Sequence, residues 1–228
     1  MLPLFEPMRL ANLRQPFDHK DWLFELKYDG FRALAYIENG SARLISRKHN
    51  AYKTFNTLCT QIVRCLRVEN AILDGEIVCL GKDGRPRFAD LPRRRSPQYF
   101  YAFDLLWLNG RDLRELPLVE RKRMLRRIIP KERSVLFAKH IESTGVSLFH
   151  AACRMDLEGI VAKWKSAPYR MDGNRTSWVK IKNRHYSQAA GRRDLFEKFH
   201  SQGTTSRSVQ RQAAGATREK PGTPGGAQ

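Results

Sequence analysis

The chain of 228 residues carries 42 Lys and Arg against 23 Asp and Glu, a formal net charge of +19 with a pI near 10.3. That length can bury a full core in one sizeable domain, and that charge attracts polyanions, nucleic acid first and an anionic membrane surface second. No apolar run approaches a membrane span, Met1-Leu2-Pro3-Leu4-Phe5-Glu6-Pro7 lacks the layout of a signal peptide, and the expectation is a soluble, cytoplasmic protein.

In chain order, Trp22–Lys27 reads as a strand whose alternation turns Trp22, Phe24 and Leu26 one way and Glu25, Lys27 and Asp29 the other. Through Gly30 the chain enters a second strand, Phe31–Ile37, and the Asn39-Gly40 pair signals a hairpin back into Arg43–Ser46. Phe55, Leu58, Ile62 and Leu66 recur at helical spacing, which predicts an amphipathic helix over Lys53–Val68. A strand over Ala71–Leu80 follows, then a turn at Gly81-Lys82-Asp83-Gly84 and an Arg- and Pro-rich loop over Arg85–Pro97. Tyr99–Trp107 is an apolar strand ended by Asn109-Gly110; Val119–Ile129, closed by Pro130, and Val146–Met155 are helices. Ile160–Lys165 and Trp178–Lys182 are strands. Beyond Asn183 a short helix is expected over Ala189–His200, and Ser201–Gln228 holds too few apolar residues to offset its ordering entropy, so it is expected to be disordered. Cys59, Cys65, Cys79 and Cys153 form no CxxC pair and lack a His-rich complement, which argues for reduced thiols and against zinc.

Taken alone, Glu25-Leu26-Lys27-Tyr28-Asp29-Gly30-Phe31-Arg32 reads first as a charged strand edge. Four downstream segments change that reading: Leu73-Asp74-Gly75-Glu76-Ile77-Val78, Phe103-Asp104-Leu105-Leu106, Glu158-Gly159-Ile160-Val161-Ala162-Lys163 and Trp178-Val179-Lys180-Ile181-Lys182. In identity and order the five segments resemble the nucleotidyltransferase motifs of ATP-dependent DNA ligases, particularly the bacterial end-joining type, over about Pro3 to Asn183.

The resemblance implies an α+β nucleotidyltransferase core, ATP-grasp-like, with antiparallel sheets flanked by helices over residues 1–186 and a basic tail over 187–228. It implies an ATP-dependent DNA ligase that forms a lysine–AMP intermediate and seals 5′-phosphate/3′-hydroxyl breaks in DNA repair. Lys27 matches the nucleophile. A solvated lysine has a pKa of about 10.4 and is almost wholly protonated at neutral pH, so it needs desolvation or neighbouring cations to expose its lone pair. Lys163, Lys180 and Lys182 match the catalytic lysines that supply those charges. Glu25, beside Leu26, matches the acceptor of the adenine amino group; Phe103 matches the stacking aromatic, and Arg32 and Arg47 match arginines on the ribose, phosphate or nick. Glu158 and Glu76 match the carboxylates that serve Mg²⁺ (or Mn²⁺), with Glu76 also near the ribose. Gly159 frees the backbone to aim Glu158 and Lys163 into one pocket.

By themselves these residues have plainer readings: Phe103 as core, Lys180 and Lys182 as a solvated strand face, Glu158 as the acid ending a helix, Asp74-Gly75 as hairpin chemistry. One departure falls at Ser46-Arg47-Lys48-His49-Asn50, where the family has a glycine after the arginine; Asn50 is expected to take the positive-φ position. Residues 184–228 are too short and polar for the OB-fold domain of full-length ligases. The expectation is therefore a monomeric catalytic core standing alone, with weak self-adenylation, sealing of pre-adenylated nicks better kept, and the tail holding DNA. Implied partners are ATP, nicked or broken duplex DNA, and a Ku-like end-binding protein or a separate polymerase, with nucleoid association in the cytoplasm and no membrane. The competing readings are an RNA ligase or capping-type nucleotidyltransferase, and a non-catalytic DNA-binding repair module.

Overall fold

The computed structural model describes residues 1–93, 96–130, 134–171, 173 and 175–189. Its hairpins follow directly from turn chemistry. Asn39 (φ 51°) and Gly40 (φ 67°) both take positive φ, so β3 (Phe31–Glu38) returns into β4 (Ser41–Ser46) with Glu38 opposite Ser41. Asn109 (φ 46°) and Gly110 (φ 83°) repeat the device between β6 (Gln98–Leu108) and β7 (Arg111–Asp112). With β5 (Asn70–Cys79) between β3 and β6, these strands form one antiparallel sheet in the order β4-β3-β5-β6-β7, and β8 (Val135–Phe137) joins β6 in parallel. The second sheet runs β1-β11-β10-β2-β9, from Ala11–Leu13, Trp178–Lys182, Gly159–Trp164, His19–Leu26 and His140–Ser143 respectively; β1 pairs parallel with β11 and the rest are antiparallel. The α+β class read from the sequence is what the structure has.

Both faces of β2 are covered. Phe24 packs with Ile160, Ala162, Ile181 and Ala152, the last from helix α4 (Gly145–Arg154), while Leu23 packs with Trp178 and with Leu34, Ile72 and Leu106 of the other sheet. The expected alternation holds, but its polar side faces the space between the sheets rather than solvent. Glu25 is buried there.

The predicted helix over Lys53–Val68 is shorter: a 3₁₀ turn over Lys53–Phe55 leads into α1 (Asn56–Cys65), and Leu66 is already extended. Its stripe of Phe55, Leu58, Ile62 and Leu66 is buried as the spacing implies. The expected loop Arg85–Pro97 is corrected by a short helix, α2 (Asp90–Arg93); buried Phe88 and Leu91 pin this segment to the core, where Phe88 meets Phe31 edge-on at 5.5 Å. Strands β1, β8 and β9 have no forerunner in the sequence reading. Each is three or four residues long, too short to show a period.

Helix α3 (Leu118–Ile128) buries Leu118, Arg121, Lys122 and Leu125. Arg121 forms a two-pronged pair with Asp104, Nε to Oδ1 at 2.8 Å and a terminal nitrogen to Oδ2 at 2.9 Å, with both side chains fully buried.

The compact unit extends to Ala189, three residues past the expected boundary at Tyr186. Ser187–Ala189 form a 3₁₀ turn held by Asp156 and Pro86: Ser187 N–H donates to Asp156 Oδ1 at 3.0 Å and Gln188 Nε2 to the Pro86 carbonyl at 3.0 Å. The expected helix to His200 and the expected disorder over Ser201–Gln228 lie outside the described residues, apart from Ala189 itself.

Gly159 opens β10 with φ +137°, and a Cβ there would sit 2.1 Å from the Ile181 carbonyl oxygen. Backbone, not a side chain, blocks the space. A Gly159→Ala variant is therefore expected to lose about 2–3 kcal/mol of stability, measured as a lowered denaturant midpoint at unchanged slope.

Candidate active site

Three neighbouring strands set the site. On β11, Lys180 and Lys182 share the inner face with Trp178, while Val179 and Ile181 turn toward the Phe24 cluster. On β10, Ile160 and Ala162 pack in that cluster, which leaves Val161 and Lys163 on the inner face. Lys27, one residue past β2, is fastened to this sheet by its N–H, which donates to the Gly159 carbonyl at 2.9 Å.

Lys27 Nζ donates to Glu158 Oε2 at 2.7 Å, with the lysine side chain 17% exposed and that of Glu158 4%. Lys182 Nζ stands 3.8 Å from the other oxygen of Glu158. Lys180 is held below the ordinary lysine value by burial, then by Lys182, Lys27 and Arg47. Glu76 on β5, paired in register with Arg32, joins the same group. Burial pushes its carboxyl up to about 7, Lys27 and Arg32 pull it down, and Glu158 and Asp29 push it further up. Lys27 thus has Lys180 and Lys182 as neighbouring cations, and its hydrogen-bond partner is a carboxylate.

The Glu76 carboxyl titrates higher folded, near 7, than unfolded, near 4.5. Its contribution to stability is complete below the unfolded value and is lost as pH rises toward 7. Relative to the wild-type chain, Glu76→Gln should gain on the order of 2–3 kcal/mol between pH 4.5 and pH 8. Parallel urea titrations at the two pH values read this directly, and an unchanged difference would refute it.

A second charged cluster lies around Glu25. Its Oε1 accepts from Lys122 Nζ at 2.6 Å, and its Oε2 is 2.8 Å from Lys163 Nζ, an ion pair outside hydrogen-bond geometry. Burial raises the Glu25 carboxyl, but Lys122 and Lys163 outweigh it and hold it below the usual carboxylate value. Burial brings Lys163 down to about 8, against the pull of Glu25. Its ammonium lies 3.9 Å from the Trp178 ring centroid and 4.3 Å from that of Phe103. Lys163 was expected to work on Lys27; its charged neighbours are instead Glu25, Lys122 and Asp104.

Phe103 sits where β6 gains a residue over β5: Asp74 faces Asp104 and Gly75 faces Ala102, leaving Phe103 as the bulge. It is half-buried and meets Trp178 edge-on at 5.8 Å. Leu26, half-buried, packs against the α4 cluster. Arg32 is engaged within the protein, donating to both oxygens of Asp74 at 3.1 and 2.7 Å, while Tyr169 O–H donates to Asp74 Oδ2 at 2.6 Å. Arg47 is exposed in the turn after β4. In that turn His49, not Asn50, takes positive φ (58°): its N–H donates to the Ser46 carbonyl, while the Asn50 carbonyl accepts from Ser46 N–H, both at 2.9 Å, and this leaves the left-handed residue at position 49.

Sequence reasoning missed Lys122. The signal was available: on the helix stripe formed by Leu118, Lys122, Leu125 and Ile129, a lysine interrupts an apolar row, and a buried cation needs an anionic partner.

Residues 8–182 match the family described as "ATP dependent DNA ligase domain". The chain is 30% identical over 188 residues to the multifunctional non-homologous end joining protein LigD of Pseudomonas aeruginosa, covering 79% of this chain and 22% of that protein. It is 25% identical to the SPbeta prophage-derived DNA ligase-like protein LigB of Bacillus subtilis, covering 80% of this chain and 68% of that one. The ligase domain of M. tuberculosis LigD superposes with a TM-score of 0.64 at 30% identity, over 78% of this chain and 60% of that one. A mycobacterial DNA ligase D complexed with ATP and MES gives 0.65 at 28%, with the same coverage. The chain spans about a fifth of the length of the LigD proteins it matches. With nearly the whole compact unit inside the match, and with five motif segments converging on three neighbouring strands and the sheet opposite, the chain belongs to the ATP-dependent DNA ligase domain family.

Proposed function

We propose that this domain transfers an adenylyl group from ATP through Lys27 and seals 5′-phosphate/3′-hydroxyl breaks in DNA. In the first step the Lys27 Nζ lone pair forms a bond to the α-phosphorus as the bond to the bridging oxygen breaks and pyrophosphate leaves. Next, an oxygen of the DNA 5′-phosphate takes the AMP phosphorus and the P–N bond breaks. Finally the 3′-hydroxyl oxygen bonds the 5′-phosphate phosphorus, and AMP leaves with its oxygen. The observation that carries this reading is the 2.7 Å contact of Lys27 with Glu158, with Lys182 on the other side of that carboxylate and Lys180 close by. A transferring phosphoryl group needs positioning and charge neutralisation more than covalent help, and this cluster supplies both. Glu158 also gives the ammonium proton of Lys27 an acceptor.

Glu76 and Glu158 fit a Mg²⁺ or Mn²⁺ site. Their donors are hard oxygens, each is close enough to the other for Glu158 to raise the Glu76 carboxyl, and a cation between them relieves that repulsion. Among the described residues no group of three His, Cys, Asp or Glu side chains could hold a metal alone. Two carboxylates completed by water and phosphate are the sparse set that Mg²⁺ ordinarily takes. When bound there, the cation would neutralise charge at the α-phosphate.

On the side away from the phosphate cluster, Glu25 and Phe103 are proposed to hold the base, with Leu26 offering its backbone alone because its side chain packs on the other face of β2, and with Arg32 and Arg47 toward the sugar, phosphate or nick. The setting we infer is repair of nicked or broken duplex DNA, as the end joining in the names of the LigD relatives suggests, and we place it in the nucleoid with a Ku-like protein or a separate polymerase as partner. Incubation with ATP and Mg²⁺ followed by intact mass measurement tests the first step, which requires an AMP adduct on Lys27, even one that accumulates slowly. Sealing of nicked DNA but not nicked RNA would separate this reading from an RNA ligase.

A further inference from the structure

Lys122 belongs to none of the five motif segments, yet its ammonium has a full set of acceptors: Glu25 Oε1 at 2.6 Å, the Ala138 carbonyl at 3.2 Å and the Phe103 carbonyl at 3.3 Å. The side chain is 2% exposed and lies against the Phe137 ring, so the charge is committed to these partners. Glu25 stands on β2 in one sheet and Phe103 at the bulge of β6 in the other; one lysine from α3 ties the two together. A buried ion pair contributes little net stability over an apolar pair of the same shape, so stability alone is a poor reason for this one. In the same cluster, His140 Nδ1 and Trp178 Nε1 are buried without a hydrogen-bond partner, polar capacity that a ligand could use; His140 pairs with Glu25 in register across β9 and β2.

We propose that Lys122 is a positioning residue for base selection: by clamping Glu25 and the Phe103 carbonyl it presents a fixed, acceptor-only carboxylate that favours a purine with an amino group at C6 over one with an oxo group. The inference rests on the nucleotidyl-transfer reading above. An ionised carboxylate has no hydrogen to give, so a C6 amine donates to it while a C6 oxo group meets it lone pair to lone pair. A site built around a buried polar group discriminates strongly in this way, because the wrong ligand leaves the group unmatched. Without Lys122, Glu25 keeps Lys163 at 2.8 Å from Oε2 but loses the donor that fixes Oε1 and ties it to the Phe103 carbonyl, so the carboxylate is free to turn from the base.

The test compares ATP with inosine triphosphate as donors to Lys27, read by intact mass, in the full chain and in Lys122→Met, Glu25→Gln and the double variant. The wild-type chain should prefer ATP. Lys122→Met should lower that preference by about tenfold or more, acting on KM more than on the saturating rate. In the Glu25→Gln background the same change should lower it no further. Loss of preference in Glu25→Gln with none in Lys122→Met would overturn the proposal. So would a further drop in the double variant. Should Lys122→Met fail to fold, Lys122→Gln, which removes the charge but keeps a polar group among the same acceptors, takes its place in both comparisons. No labelling of wild-type Lys27 by either nucleotide is a different failure: it sinks the nucleotidyl-transfer reading and this inference with it.

Discussion

A Lys27→Ala variant should fold and yet take up no AMP from ATP, its labelling falling by at least about 10⁴-fold, the scale on which loss of a covalent nucleophile is felt. The two halves of that expectation have separate physical grounds. Removing the ammonium strips Glu158 of its 2.7 Å donor, but Lys182 remains 3.8 Å from the same carboxylate. The stability cost should stay near 1–3 kcal/mol, that of one lost charged hydrogen bond. Labelling vanishes because no neighbour stands where Lys27 does: Lys182 lies 3.8 Å from the far oxygen of Glu158, Lys180 is fixed on β11, and Lys163 is buried against Glu25. Incubating both chains with α-labelled ATP and counting protein-bound label, with a thermal melt as the folding control, reads both halves together. Persistent label at another lysine would show that the nucleophile has been misassigned.

Arg121→Met should be the most damaging single change to the fold. Asp104 and Arg121 are both fully buried and joined by two hydrogen bonds, and Arg121 also donates to the Ala167 carbonyl at 3.1 Å. Removing the guanidinium leaves the Asp104 carboxylate inside the core with, among the described residues, the Leu105 N–H at 2.8 Å as its remaining hydrogen-bond donor. Breaking such a pair costs about 3–5 kcal/mol. For a unit of this size each kcal/mol moves the melting temperature by about 2–4 °C, so a drop on the order of 10 °C is expected in a thermal melt. Replacing both partners together, Asp104→Leu with Arg121→Met, should recover much of the loss, because no unpaired charge is then buried. A double variant no more stable than Arg121→Met alone would count against that account.

Legibility in the sequence tracked the length scale of each cause. The Asn39-Gly40 and Asn109-Gly110 turns were readable because a two-residue primed turn demands positive φ at both central positions, a property of those residues themselves. The α1 stripe was readable because Phe55, Leu58, Ile62 and Leu66 show their period within one segment. The α2 segment was hidden by its arginines and prolines; what holds it is the contact of Phe88 with Phe31, more than fifty positions earlier in the chain. The left-handed residue after Arg47 fell on His49 rather than Asn50 because backbone hydrogen bonds with Ser46 decided it, against the intrinsic preference of asparagine.

The site divides the same way. The sequence by itself determined which segments carry the family's motifs, since five motifs in order need no coordinates to be recognised, and it determined the cationic balance of the chain. Only the tertiary structure decided how those charges are shared out: Lys27 with Glu158 and Lys182, and Lys163 with Glu25 and a lysine that no motif contains. Ion pairs form between side chains that are adjacent in space, and burial between two sheets strengthens each pair while forbidding an unpaired charge. Partners 97 and 131 positions apart, Glu25 with Lys122 and Lys27 with Glu158, are chosen by the packing of β2, α3 and β10, and no local pattern announces that choice.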